Sequence, residues 1–258
     1  MTDLQHPVFP LQQPVYVGRF APTPSGPLHM GSLVAALGSF LDARAHNGRW
    51  LLRIEDIDRP RTVVGATEAI LTSLAKHGLQ WDDEIVFQST RYHAYETALA
   101  LLEERKRLFR CSCSRQQVMA SARFGPAGPI YPGYCRHKQV DKTQRHALRF
   151  LSDDDWIEFV DRLLGPQRFH GRDDIGDFIL RRSDGIYAYH LAVVVDDADA
   201  GVTDVVRGAD LLASTAAHIQ LQRALGIPTP RYCHLPLVLG QNGQKLSKQN
   251  GAAGLDDR

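Results

Sequence analysis

The sequence predicts an α/β fold of parallel strands joined by crossover helices, interrupted by a small inserted module. Three observations carry this. Apolar strand-like runs alternate with stretches of helical periodicity through the first half, which implies parallel pairing. A Pro/Gly-rich turn leads from the first strand straight into the first helix. Between about Arg110 and Arg136 the alternation breaks, and three of the four cysteines fall there.

The elements follow in chain order. Residues 1–14 are polar, contain Gln and Pro, and read as a flexible leader. Val15 to Phe20 forms the first strand. Leu33, Ala36, Leu37, Phe40 and Leu41 stand at helical spacing on one apolar face, and Gly48 closes that region. Trp50 to Ile54 is the second strand. Ala66, Ile70 and Leu74 mark a second helix closed near Gly78, and Tyr92, Tyr95, Leu99 and Leu102 mark a third. The module with Cys111, Cys113 and Cys135 comes next. From Ala147 to Tyr189 the segments are short and β-like, with a hairpin turn at Ser183-Asp184-Gly185. Helical spacing returns from Leu211 to Leu225, and Cys233 to Leu239 is a final strand. The expected division is therefore a leader at 1–14, half of the main domain at 15–109, an insertion at 110–146, and the other half at 147–258.

Composition narrows the function classes. A chain of 258 residues fits one large domain with a small insertion. Lys+Arg total 30 against Asp+Glu 29. That balance excludes a generalised electrostatic RNA binder and leaves only a local patch for any RNA contact. No apolar run approaches the roughly 20 residues that span a bilayer. The N-terminus lacks the basic start and apolar stretch of a signal peptide. A cytoplasmic protein without a membrane partner is expected, and a monomer, since no apolar stripe is left over. In a reducing compartment the cysteines are not expected as structural disulfides.

Two segments carry chemistry. The first, Arg19-Phe-Ala-Pro-Thr-Pro-Ser-Gly-Pro-Leu-His-Met-Gly-Ser32, lies between a strand and a helix. Ser25 and Gly26 permit a tight turn. The helix that follows offers free N–H groups and a positive dipole end, which suits a phosphate. The same stretch also reads as a Pro/Gly-rich loop with an incidental histidine. The second, Gln244-Lys-Leu-Ser-Lys-Gln249, puts two lysines around a serine beside the turn Gln241-Asn-Gly243. Such a loop can close over a triphosphate and neutralise developing charge. Alone, it reads equally as a solvated basic loop.

In this order the two segments resemble the HIGH and KMSKS signatures of class I aminoacyl-tRNA synthetases. Arg53-Ile-Glu-Asp-Ile-Asp58, Tyr189-His-Leu-Ala192, Val195-Asp-Asp197 and Gly201-Val-Thr-Asp-Val-Val-Arg-Gly208 look like the core shared by glutamyl- and glutaminyl-tRNA synthetases. The resemblance covers Val15 to Asn250. Within that group the sequence is most similar to the glutamyl-queuosine tRNA(Asp) synthetases, which resemble a truncated glutamyl-tRNA synthetase. The second signature, the cysteine pattern and an ending about ten residues later carry that likeness.

The resemblance implies a Rossmann-like catalytic core with a zinc-binding insertion, an acceptor-like insertion and no anticodon-binding domain. It implies activation of L-glutamate by ATP without tRNA, then transfer to queuosine in the anticodon of tRNA(Asp). Arg19, Phe20, Ala21, Pro22, Thr23, Glu55, Tyr189 and Arg207 match the glutamate site, with Arg207 on the side-chain carboxylate and Glu55 on the ammonium. His29, Gly31, Ser32 and Lys248 match the ATP site, and His29, Lys245 and Lys248 the catalytic set. Mg²⁺ is expected to arrive with ATP rather than in a protein cage. Val193 and Leu211 replace an asparagine and a tryptophan typical of full-length enzymes, so weaker glutamate affinity is expected.

Cys111, Cys113, Tyr131 and Cys135 match the family's ligands for one structural Zn²⁺. From spacing alone the cysteines read as a metal site or as free thiols, and His137 is an alternative fourth ligand. Arg105, Lys106, Arg107, Arg110 and Arg115 read either as one cationic helical face near RNA or as a solvated helix end. Two other functions fit parts of this pattern. One is the catalytic core of a conventional, tRNA-dependent glutamyl-tRNA synthetase. The other is a non-catalytic RNA-binding paralogue, which the intact His29, Glu55, Arg207 and Lys248 argue against.

Overall fold

The computed structural model describes residues 15–240. The expected leader and the loop bearing Lys245 and Lys248 lie outside the described residues. The first part runs β1 (Val17–Phe20), α1 (Met30–Ala45), β2 (Arg49–Ile54), α2 (Ala66–Lys76), β3 (Val86–Phe87) and α3 (Tyr92–Glu104). The middle runs β4 (Leu108–Cys111), α4 (Arg115–Met119), β5 (Arg123–Gly125), β6 (Gly128–Ile130) and β7 (Ala147–Phe150). The last part runs β8 (Trp156–Asp161), β9 (Gly165–His170), β10 (Ile179–Arg181), α5 (Tyr189–Asp199), β11 (Asp204–Gly208), α6 (Leu212–Leu225) and β12 (Arg231–Leu235).

β1, β2 and β3 pair in parallel in that order. β11, β12 and β8 pair in parallel in a second sheet, with β9 antiparallel on its edge. The two sheets meet at β1 and β11. The Thr203 amide donates to the Val17 carbonyl at 2.9 Å, and the Val17 amide donates to Thr203 Oγ1 at 2.9 Å. Helix α1 packs across both strands. Strands therefore run outward from this junction in both directions, early ones on one side and late ones on the other. That is a topological switch point, and ligands of open α/β sheets bind beyond the carboxyl ends of the strands there.

Each side has its own core. Tyr16, Phe20, Trp50, Leu52, Ile70 and Leu74 fill the first, with the Trp50 indole N–H bonded to Ser39 Oγ at 2.9 Å. Gly48 is held to glycine by crowding, since a Cβ there would lie 2.4 Å from the Tyr16 carbonyl oxygen. Tyr95, Leu102, Phe150, Leu180, Val194 and Leu221 belong to the second, larger core. β4, β7 and β10 form a separate antiparallel sheet, from which the β5–β6 hairpin and α4 project.

Three expectations change. The final strand stops at Leu235, short of Leu239, because Pro236 has no N–H to donate. The cations from Arg105 to Arg115 do not share a helical face. α3 stops at Glu104, Lys106 turns the chain at φ 55°, and Arg110 and Arg115 lie on β4 and α4. Helix α5 begins at Tyr189, where the sequence reading left no helix.

Candidate active site

A cleft of about 710 Å³ opens at the β1–β11 junction. β1 and its following turn contribute Arg19, Phe20, Ala21, Pro22 and Thr23 to its wall. The start of α1 contributes His29, Gly31 and Ser32; β2 leads to Glu55; α5 begins with Tyr189; and β11 carries Arg207. All the sequence-predicted glutamate and ATP residues among the described residues thus line one cleft. Leu211 lines it too, whereas Val193 is buried on α5.

Arg207 is 5% exposed, and among the described residues its guanidinium meets only neutral acceptors. Its Nε donates to His234 Nε2 at 3.1 Å. Nη1 donates to Tyr189 Oη at 3.2 Å and lies 3.3 Å from His218 Nδ1. Nη2 donates to Thr215 Oγ1 at 2.7 Å and to the Leu211 carbonyl at 3.2 Å. The uncompensated charge shows in its neighbours. Burial, then the Arg207 charge, pushes His190 down to about 4 and His218 well below the ordinary histidine value. A buried cation without a carboxylate partner invites an anionic ligand.

The opposite polarity is built around Glu55. Arg19 Nε donates to both oxygens of Asp197 at 3.2 Å, and Arg53 Nη1 donates to Asp197 Oδ1 at 2.6 Å. Arg53 also sits 3.5 Å from Glu55 Oε1. Burial still wins at Glu55 over these two arginines, and its carboxyl is raised to about 7. At Asp197 the arginines win over burial and hold its carboxyl below its ordinary value. The Tyr189 phenol lies within the fields of Arg207, Glu55, Arg19 and Asp197 together. The cleft therefore offers a cation-seeking carboxylate and an anion-seeking guanidinium, the pattern an amino acid with an acidic side chain needs.

His29 is the N-cap of α1. Its Nδ1 accepts from the Ser32 amide at 3.2 Å, and its Nε2 is 3.1 Å from Ser32 Oγ. Accepting at Nδ1 puts the proton of a neutral ring on Nε2, so the cap also presents a donor. Sequence reasoning found Arg19, Glu55 and Arg207 but not the groups that hold them. Asp197 and Arg53 were legible only as motif letters. His234, Thr215 and Asp161 gave no local signal.

Comparison with known proteins gives the family. Residues 15–257 match the model of class I tRNA synthetases (E and Q), catalytic domain. The Glutamyl-Q tRNA(Asp) synthetase of Verminephrobacter eiseniae is 53% identical over 254 residues, covering 95% of this chain and 86% of that protein. The one from Bordetella bronchiseptica is 54% identical over 246 residues, covering 93% and 77%. This chain belongs to the glutamyl-Q tRNA(Asp) synthetase family. The solved glutamate-tRNA synthetase of Elizabethkingia anophelis superposes with a TM-score of 0.80 at 28% identity. The match covers 92% of this chain, which spans about half of that protein, 53%. As a member of its family this synthetase is a class I aminoacyl-tRNA ligase, of the kind that uses ATP with Mg²⁺.

The synthetase also carries a cluster that could hold a metal. The sulfurs of Cys111, Cys113 and Cys135 lie within 4.8 Å of one another, and all three cysteines are free. Cys113 Sγ and Cys135 Sγ are 3.6 Å apart. A tetrahedral site with zinc–sulfur bonds of about 2.3 Å would set its sulfurs about 3.8 Å apart, so the spacing fits. Tyr131 Oη lies 3.3 Å from Cys111 Sγ and 3.4 Å from Cys113 Sγ and accepts from the Cys135 amide at 2.8 Å. His137, the alternative, is exposed and lines a pocket that includes Tyr131 but none of the three cysteines. Burial pushes the Cys135 thiol up, but hydrogen bonds from Tyr131 and Ser112 outweigh it and bring it down to about 7. A thiol poised there yields its proton readily to a metal.

Proposed function

We propose that this chain activates L-glutamate with ATP to glutamyl-adenylate without tRNA, then transfers the glutamyl group to queuosine in the anticodon of tRNA(Asp). The observation that carries the amino-acid part is the buried Arg207, surrounded by neutral acceptors, in one cleft with the raised carboxyl of Glu55. Arg207 takes the substrate's side-chain carboxylate and Glu55 its ammonium. Arg19, Phe20, Ala21, Pro22, Thr23 and Tyr189 shape the rest of the glutamate subsite. His29, Gly31 and Ser32, at the start of α1, take ATP phosphates; Lys245 and Lys248, assigned to the same phosphates, lie outside the described residues.

The reaction needs no protein nucleophile. The substrate α-carboxylate attacks the α-phosphorus of ATP and pyrophosphate leaves. A nucleophile of the queuosine base then attacks the mixed anhydride, loses its proton and displaces AMP. The protein supplies position and charge stabilisation. The acceptor rests on the names of the relatives. Cys111, Cys113, Cys135 and Tyr131 hold one Zn²⁺ with a structural role, and Mg²⁺ comes with ATP. The chain acts as a cytoplasmic monomer. Among the described residues no helix is long and apolar enough to cross a membrane.

Glutamate-dependent ATP–pyrophosphate exchange tests this directly. Exchange in the absence of tRNA is expected, followed by glutamylation of tRNA(Asp) that contains queuosine but not of tRNA(Asp) that lacks it. Exchange only after tRNA(Glu) is added would replace this reading with a conventional glutamyl-tRNA synthetase core. The likeness to the solved glutamate-tRNA synthetases favours that second reading. Silence under both conditions would leave the RNA-binding paralogue.

A further inference from the structure

Behind Arg207 stands a second pair of buried groups. His234, on β12, accepts from Arg207 Nε through Nε2 at 3.1 Å, and its Nδ1 lies 2.6 Å from Asp161 Oδ2. Asp161 ends β8, the neighbour of β12 in the sheet. Both side chains are fully buried. Asp161 Oδ1 accepts from the amides of Leu163 and Leu164 at 3.0 and 2.9 Å and from the His234 amide at 3.2 Å. These bonds hold the acid as a carboxylate, which can only accept. His234 Nδ1 must therefore carry the ring proton, and Nε2 keeps a lone pair for Arg207.

We infer that Asp161 and His234 are positioning residues that set the choice of glutamate over glutamine, an inference that rests on the reading of Arg207 given above. A carboxylate touching Arg207 directly would neutralise the guanidinium and occupy its fork. An interposed imidazole fixes the guanidinium by Nε while leaving its charge open to the cleft. A site built around an unpaired buried cation favours a carboxylate strongly over the isosteric amide.

The tautomer gives a sharp test. In D161N the three backbone amides keep the oxygen on their side, so the new NH₂ faces His234 Nδ1. The ring must then accept at Nδ1 and carry its proton on Nε2, which takes away the acceptor of the Arg207 Nε–H and turns that proton toward Thr215 Oγ1, 3.2 Å away. The same amide exchange inverts the imidazole of a catalytic triad. H234Q keeps an acceptor oxygen near the position of Nε2 and has no tautomer to invert.

Exchange kinetics with glutamate and with glutamine are compared for wild type, D161N, H234Q and the double variant. D161N is expected to raise the glutamate KM at least about tenfold, to change kcat and the ATP KM much less, and to narrow the preference over glutamine. H234Q loses less, and adding it to D161N restores the preference. A wild-type glutamate KM and preference in D161N would overturn the proposal, as would a double variant no better than D161N. Imidazole nitrogen NMR, assigned by difference with H234Q, reads the ring independently of activity. The proton is expected on Nδ1 in wild type, and finding it on Nε2 there would sink the idea even if D161N fails to fold. Wild-type protein without glutamate-dependent exchange would instead defeat the reading of the cleft, with the NMR result still deciding the tautomer.

Discussion

Glu55 shows how one residue's environment sets a measurable property of the site. Its side chain is 11% exposed, and desolvation raises the carboxyl to about 7 although Arg53 and Arg19 oppose that rise. Only the ionised form pairs with a substrate ammonium. The glutamate KM is therefore expected to fall as pH rises from about 6 to about 8, and E55Q to raise KM by about tenfold or more and flatten the profile. A sloping profile that survives in E55Q would assign the titration elsewhere. The linked stability effect has the opposite sense. The native state holds this proton more tightly than the unfolded chain, with its ordinary value of 4.5. Its contribution to stability is thus full below that value and lost as pH rises through about 7. Glu55 was legible in the sequence because it sits in a motif beside charged neighbours. His234 was not, because a histidine on an apolar strand reads as core until the fold brings Asp161 and Arg207 to its two nitrogens.

At the scale of elements, legibility followed periodicity. Helices α1, α2 and α3 carry apolar faces with polar backs and stood out. Helix α5 did not, because Leu191, Ala192, Val193, Val194, Val195, Asp196 and Asp197 are all buried, so no stripe separates apolar from polar positions. The parallel sheets could be inferred from alternation, but their junction at β1 and β11 could not. It depends on Thr203 meeting Val17 from 186 residues away. The cysteine module is another element whose origin lies beyond local pattern. Its own apolar cluster is small, Cys111, Val118, Tyr131 and Cys135 with a few partly buried neighbours, too little to order it without a staple. Metal analysis is expected to find about one equivalent of zinc in the purified protein. Stripping it with a thiol-reactive reagent and chelator should open residues 112–145 to proteolysis while the rest of the chain resists. Equal resistance before and after removal would show that packing alone holds the module.

Across the whole molecule, the two cores are tied together by charge at the place where the cleft opens. Asp197 on α5 accepts from Arg19 on β1 and Arg53 on β2, while Asp196 accepts from Gln88, Tyr95 and Arg91. Helix α5 thus reaches from the larger core into the first sheet, and two adjacent carboxylates hold three arginines. The network is buried, so its parts depend on one another. D197N removes the carboxylate that Arg19 pairs with and leaves Arg53 only the more distant Glu55 and Asp196, at 3.5 and 3.9 Å, a change that costs about 3–5 kcal/mol at neutral pH. Urea unfolding of wild type and D197N should show that gap with closely similar slopes. The sign with pH follows from Asp197 lying below its ordinary value of 3.8. Its contribution is present above that value and lost as pH falls through the lower, folded one. The gap between the two proteins should therefore close in acid, below about pH 4. A gap that stays constant down to the acid limit would mean that shape rather than charge at Asp197 joins the halves. Because Arg19 also lines the cleft, D197N is expected to raise the glutamate KM as well, which makes the tie between the two cores and the substrate site a single structure.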